Sequence, residues 1–180
     1  MSEYLSQVLG DDHRLDAFTC GKDPLDAWLK SQARRAQGAG TAQTYAWTRP
    51  GSSAVLAYFS IAPTQVVRSE VPRPLTGGYS VIPAYLLARL ALDHTLQGQG
   101  LGGELLLDAL ARIIDAAKVG GGRLIVVDAI DEQAAAFYRR HDFISIGNSP
   151  RLYLKVATAE TVLAKAPDQR RAANQAVLHP

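Results

Sequence analysis

Leu86-Leu87-Ala88-Arg89-Leu90-Ala91-Leu92-Asp93, then His94-Thr95-Leu96, then Gln97-Gly98-Gln99-Gly100-Leu101-Gly102-Gly103 is the stretch on which the fold turns. Its first part is a near-continuous apolar run, as suits a strand buried on both faces. After the glycines, Leu105, Leu106, Ala109, Leu110, Ile113, Ile114 and Ala117 recur at helical spacing, with Glu104, Asp108, Arg112 and Asp115 on the other side. A long amphipathic helix therefore opens at Leu101. A strand that runs through glycines into a helix turns several backbone N–H groups toward one point, where the helix dipole also favours negative charge. That is an anion site, and glycine serves it because a Cβ would block both the dihedrals and the close approach of a phosphate.

The kind of phosphate ligand follows from the residues around the glycines. A P-loop requires a lysine and a hydroxyl residue after its last glycine, whereas Gly103 is followed by Glu104, which excludes a nucleoside triphosphatase. Gly98-x-Gly100-x-x-Gly103 does satisfy the dinucleotide-binding string, and Asp128 ends the next strand where a ribose-binding acid would sit. Against that reading, residues 1–85 precede the motif strand, and the chain after Asp128 is too short for a second mononucleotide half. His94-Thr95-Leu96-Gln97 also make a looser turn than a dinucleotide fingerprint uses.

Working outward, Asp23-Pro24 reads as an N-cap and a proline at the first helical position, followed by an apolar face of Leu25, Trp28, Leu29 and Ala33. This helix is expected to end near Gly38 or Gly40. Ala42–Trp47 and Ala54–Ile61 read as a hairpin turning at Arg49-Pro50-Gly51-Ser52, with Thr64–Arg68 as a short third strand. Residues 70–84, rich in proline and glycine, read as an irregular crossing loop. Leu124–Val127 is a further buried strand, Asp131 caps a helix Glu132–His141, and Ile144–Ile146 and Leu152–Val156 are closing strands. Residues 1–156 make one domain, and 157–180 a helical or flexible extension.

The 180 residues suffice for one domain with a large core. Apolar residues are 47% and charged residues 20%, which marks an ordinary globular chain rather than a disordered one. The single cysteine, Cys20, excludes a disulfide framework and a Cys-rich zinc site, agrees with a reducing cytoplasm, and reads as a small buried side chain. No metal site is expected. The N-terminus has no basic segment followed by an apolar one, and no apolar run reaches membrane-spanning length, so neither export nor a membrane partner is expected. A net charge of +2 does not by itself announce nucleic-acid binding.

Gln97-Gly98-Gln99-Gly100-Leu101-Gly102 resembles the cofactor signature of the GNAT (Gcn5-related) N-acetyltransferases, glutamine or arginine followed by x-x-G-x-G/A after a central strand. Phe137-Tyr138-Arg139-Arg140-His141-Asp142-Phe143 is similar to the family's F-Y-x-x-x-G-F element, with Asp142 where glycine is usual. Phe18-Thr19-Cys20-Gly21, Leu25-Asp26-Ala27-Trp28-Leu29 and Val126-Val127-Asp128-Ala129, with the central strand, narrow the resemblance to the acetyltransferase toxins of toxin–antitoxin pairs over residues 5–156. The resemblance implies an α/β (α+β) fold: a mixed, mostly antiparallel sheet with a splayed central strand pair and helices on both faces. It implies acetyl-CoA as cofactor, the α-amino group of aminoacyl-tRNA as acceptor, a cognate antitoxin and a homodimer. It also implies residue roles. The backbone of Leu90, Ala91 and Leu92 would face the thioester, Gln97, Gly98, Gln99, Gly100, Leu101, Gly102 and Gly103 would hold the pyrophosphate, and Tyr138 would protonate the departing thiolate.

No carboxylate stands out as a general base, and the acceptor's own acidity accounts for that. At pH 7.5 a lysine side chain is neutral in roughly one molecule in 800, an α-amine in roughly a third. Asp93 and Asp128 are the candidates for a water-relayed base, although strand-end aspartates commonly serve as caps. Lys22, Lys30, Arg34, Arg35, Arg73, Arg89, Arg139 and Arg140 could line a groove for RNA phosphates, and Lys30 and Arg34, four residues apart on the expected helix, share a face. Of these Lys30, Arg34, Arg89 and Arg139 are the candidate tRNA contacts. A GNAT enzyme for a small amine or a protein N-terminus, or a catalytically silent coenzyme-binding module, are the competing readings.

Overall fold

The protein is described from a computed structural model over residues 3–166. Its elements are β1 (Leu5–Val8), α1 (Asp23–Ser31), α2 (Ala33–Gly38), β2 (Gln43–Thr48), β3 (Ala57–Val67), α3 (Arg73–Thr76), β4 (Val81–Leu92), α4 (Leu101–Gly120), β5 (Leu124–Asp128), α5 (Glu132–Arg140), β6 (Ile144–Ser145), β7 (Arg151–Lys155) and α6 (Val156–Ala164). The strands form one sheet in the order β1-β2-β3-β4-β5-β7-β6. Only β4 and β5 run parallel, as a strand–helix–strand crossover through α4 requires.

Two irregularities set β4 apart from the other strands. Its pairing with β5 covers only Ala84–Leu86 against Leu124–Val126, so beyond Leu86 the two strands diverge and β4 keeps β3 as its one neighbour. Against β3, Ile61 pairs with Leu87 but Ser60 pairs with Arg89, which leaves Ala88 as an extra residue. Because side chains alternate along a strand, one extra residue reverses which face each later residue takes. Tyr85 and Leu87 lie on the α4 side, and simple alternation would put Arg89 there too. The bulge instead sends Arg89 and Ala91 toward α1, and Leu90 and Leu92 toward α4.

Helices cover both faces. Leu105, Leu106, Ala109, Leu110, Ile113 and Ile114 bury the expected stripe of α4 against Phe59, Leu87 and Ile125, each leucine or isoleucine contributing roughly 1.5–3 kcal/mol over exposure. On the opposite face, Leu29 and Ala33 of α1 and α2 pack with Phe18, Ala46, Tyr58 and Ala91. A third cluster under α3 joins Val66, Leu75, Ile82, Leu124, Val126 and Tyr153.

Several expectations change. Lys22, not Asp23, is the N-cap residue of α1, and Asp23 and Pro24 open the helix itself. The expected single helix breaks at Gln32, whose φ of −121° leaves the helical region. The short third strand is the far end of the 11-residue β3, and β1 was not foreseen because its burial does not alternate. The crossing loop contains a 3-10 turn at Arg68–Glu70 as well as α3. The core also runs past residue 156, since α6 buries Val156, Ala159 and Leu163 alongside α4. The rest of the expected extension, 167–180, lies outside the described residues.

Candidate active site

Where β4 leaves β5, backbone groups come free. Asp93 N–H donates to Leu56 O on the β3 side, so by alternation the N–H groups of Leu92 and Leu90 point the other way, into the gap. Ala91 does the reverse: its backbone faces β3 and its side chain is buried beside Phe18 and Tyr58. Of the three residues expected to face the thioester, two have amides directed there.

The loop that follows divides its labour. Gly98 and Gly100 have φ of 77° and 76°, and a Cβ on either would meet nothing within 4 Å, so these two glycines supply left-handed backbone beside open space. Gly100 is the N-cap of α4 and no side chain caps the helix, which leaves the first-turn N–H groups of Leu101, Gly102 and Gly103 free. Gly102 and Gly103 serve a different end. A Cβ on Gly102 would lie 3.3 Å from the Phe137 ring, and one on Gly103 would lie 3.2 Å from Nε2 of His141, so glycine lets α5 close on the first turn of α4. Gln97, expected at the phosphate, has its amide engaged elsewhere, with Nε2 donating to Cys20 O at 2.7 Å and Leu92 O at 3.0 Å. Gln99 Nε2 likewise bonds Thr95 O. These two glutamines shape the loop through their side chains, and any ligand contact falls to backbone.

Across the gap, α5 carries Tyr138. Asp131 caps the helix by accepting Ala134 N–H at 2.8 Å, as its sequence position predicted. At the other end Phe143 N–H donates to Tyr138 O and Asp142 N–H to Arg139 O, a Schellman closure with Asp142 at φ 70° where the related pattern has glycine. The Tyr138 ring packs edge-on against Phe143 at 5.3 Å and Phe137 at 5.2 Å. The side chain is only 7% exposed, and burial raises the phenol above its ordinary value, so it keeps its proton at neutral pH. No described residue hydrogen-bonds its hydroxyl, yet among the described residues no buried side-chain polar atom lacks a partner. The hydroxyl therefore reaches open space.

Neither aspartate considered as a base is available. Asp93 is 4% exposed; burial would raise its pKa, but donors from Thr19 N–H, Thr95 Oγ1 and Thr95 N–H outweigh it and hold the carboxyl below the usual range. Asp128 sits in a two-pronged ion pair with Arg151 at 2.8 and 2.9 Å. Cys20 is buried, and its thiol is pushed up to about 11 by burial and by Asp26, as befits a structural side chain.

The expected basic groove is much reduced. Arg34 donates to Gly10 O and His13 O, tying α2 to the N-terminal segment, and the break at Gln32 removes the shared helical face with Lys30. Arg139 pairs with Glu132, and Lys22 with Asp131 at 2.6 Å. Lys30 is exposed. Arg89 is unusual: its guanidinium stacks on the Trp28 ring at 3.9 Å, Trp28 stacks in turn on Tyr58, and no described residue hydrogen-bonds it or pairs with it. Burial lowers its pKa, opposed by Tyr58, but an arginine stays charged. The sequence offered no sign of this stack, because Trp28 and Arg89 meet only through the bulge. Among the described residues no group of His, Cys, Asp and Glu could hold a metal, and no helix is long and apolar enough to cross a membrane.

No protein-family model matches the chain. A tRNA-acetylating toxin of Mycobacterium tuberculosis (strain ATCC 25618 / H37Rv) is 33% identical over 136 residues, spanning 75% of this chain and 81% of that protein. A tyrosine-to-phenylalanine mutant of KacT superposes with a TM-score of 0.84 at 25% identity, covering 89% of this chain and 99% of its own. AtaT complexed with acetyl-methionyl-tRNAfMet gives 0.81 at 27% identity, covering 88% and 98%, and AtaT is also known with acetyl-CoA and with its antitoxin AtaR. The identity and coverage of these relatives show that the chain belongs to the GNAT-fold, acetyl-CoA-dependent acetyltransferase toxins of toxin–antitoxin systems.

Proposed function

We propose that the protein acetylates the α-amino group of aminoacyl-tRNA and thereby blocks translation. One observation carries the reading: β4 has no partner strand beyond Leu86 on the side of β5, and α5, which follows β5, carries the buried Tyr138, whose hydroxyl no described residue hydrogen-bonds. The gap fits acetyl-CoA, since the open space at Gly98 and Gly100 and the uncapped start of α4 suit a pyrophosphate. When bound, acetyl-CoA supplies the acetyl group as a thioester. Leu90 and Leu92 N–H groups are directed where negative charge develops on the carbonyl oxygen during attack. Tyr138 Oη–H is the proton source for the departing sulfur. With Asp93 and Asp128 both engaged, the amine must arrive neutral, which an α-amine does and a lysine does not.

Arg89 is the candidate dock for the RNA 3′ end. Stacked on Trp28 and without a carboxylate, its guanidinium presents a plane for a base and donors for a phosphate. Lys30 adds an exposed charge on the same helix as Trp28, whereas Arg34 and Arg139 contribute through their intramolecular partners. A cytoplasmic location follows from where charged tRNA is found, and control by a cognate antitoxin from the AtaT–AtaR pair. Two copies associate through the exposed apolar residues Val67, Tyr79 and Val81 at the end of the β3–β4 hairpin, which light scattering would test.

The deciding experiment incubates the protein with acetyl-CoA and mixed charged tRNA and identifies products by mass spectrometry. N-acetyl-aminoacyl-tRNA is expected. Labelling of small amines or protein N-termini alone would overturn the acceptor assignment while leaving the transfer chemistry.

A further inference from the structure

From the geometry across the gap we infer that Lys22 is a positioning residue, which through its ion pair with Asp131 holds the Tyr138 wall at a set distance from the Leu90–Leu92 wall. The inference rests on reading this gap as the acetyl-transfer site.

The Thr19–Lys22 segment is bound to the β4 side. Thr19 N–H donates to Asp93 Oδ1 at 3.0 Å, His94 N–H donates to Thr19 O at 2.8 Å, and Gln97 Nε2 holds Cys20 O. Lys22 ends the segment as the N-cap of α1, and its ammonium reaches Asp131 Oδ2 at 2.6 Å. Asp131 is the N-cap of α5 on the β5 side, with Oδ1 on Ala134 N–H and Oδ2 on Lys22. Among the described residues, no other hydrogen bond or ion pair joins residues 9–41 to residues 121–166. The two strands themselves stop pairing at Leu86 and Val126. Besides the shared apolar cluster that takes in Leu90, Leu92, Phe137 and Tyr138, two specific contacts serve as struts and set the spacing of the walls. One is the contact of Gly102 and Gly103 with Phe137 and His141; the other is Lys22–Asp131.

The spacing matters because the oxyanion donors and the proton donor act on two atoms of one thioester carbon, the carbonyl oxygen and the sulfur. A misplacement of about 1 Å can cost up to roughly a hundredfold in rate. Asp131 suits this role because the hydrogen bond from Lys22, then that from Ala134 N–H, holds its carboxyl below the usual range, so it stays ionised at any working pH. Both partners are partly exposed, at 42% and 35%, and such pairs add little to overall stability. Breaking this one is therefore expected to appear in the rate rather than in the melting temperature.

The test compares wild type, Lys22→Met, Asp131→Asn, the double variant and Lys22→Arg, with charged tRNA as acceptor. Asparagine preserves the α5 cap and removes only the charge. Each single change is expected to lower kcat about tenfold with KM for acetyl-CoA within about twofold, the double change to cost no more than either alone, and Lys22→Arg to recover most of the loss. Additive losses, a weaker acetyl-CoA affinity at unchanged kcat, or no recovery with arginine would overturn the assignment. If the wild-type protein leaves charged tRNA unmodified, the acceptor assignment falls and the strut is read without it. Amide hydrogen exchange at Ala134 and Leu25 is then expected to quicken about tenfold in both single variants. Unchanged exchange would overturn the strut.

Discussion

The two ends of β4 on either side of Leu87 differ in what lies beside them. Residues 84–86 lie between β3 and β5, buried in a continuous ladder; residues 88–92 have β3 on one side and a gap on the other. The first half resembles any central strand. The second half, one bulge later, presents backbone amides that no strand takes up. On the function proposed above, acetyl transfer takes place where the sheet stops satisfying its own hydrogen bonds.

The sharpest way to break the comparison is to remove the group opposite the bare edge. Tyr138→Phe keeps the ring contacts with Phe137 and Phe143 and deletes the proton donor, so transfer should slow by about a hundredfold or more with acetyl-CoA binding nearly unchanged in calorimetry. An unchanged rate would mean the edge works without it.

Asp93, where the bare edge ends, comes next. Asparagine has one acceptor oxygen and would leave either Thr19 N–H or Thr95 N–H unmatched, at a cost of about 1–3 kcal/mol in denaturant unfolding. Its folded pKa is depressed, so the carboxylate's stabilisation is fully present above the unfolded value of about 3.9 and is lost as pH falls below it toward the folded value. Asp93→Asn should flatten the fall in stability across that acid window, and an unaltered slope would show the network to be of no consequence.

Arg89 tests what the bulge achieves. Arg89→Ala should raise KM for charged tRNA about tenfold and reduce the salt slope of binding by about one, while kcat at saturation changes little. A salt slope equal to wild type would move the RNA elsewhere. The smallest effect belongs to the opposite wall, at Asp142, where a side chain occupies left-handed backbone. Asp142→Gly should stabilise the protein by about 1 kcal/mol or less and leave the rate alone, since the Schellman closure under Tyr138 is already formed.

Much was legible from periodicity. The stripe of α4, the buried run of β5, the cap at Asp131 and the hairpin of β2 and β3 follow from local rules that need only neighbouring residues. The apolar run expected to be buried in β4 is, apart from Ala91, only half-buried beyond Leu87. The glycine loop and Phe137-Tyr138 identified the donor chemistry because backbone conformation and a phenol are properties of the residues themselves. The basic residues were another matter, since a charge in the sequence carries no label for its partner. Arg34 found main-chain carbonyls, Arg139 found Glu132, and Arg89 found the Trp28 ring.

By itself, then, the sequence marked the run from β4 through the glycines to α4, β5 and α5, and placed Tyr138 on that last helix. The tertiary structure alone decided that β4 parts from β5 after Leu86, that Ala88 is the extra residue which turns Arg89 toward Trp28, and that Lys22 closes on Asp131. Each of these is a relation between distant segments. Register, splay and ion pairing depend on which surfaces meet when several layers close on one core, and a pattern read along the chain holds no term for that meeting.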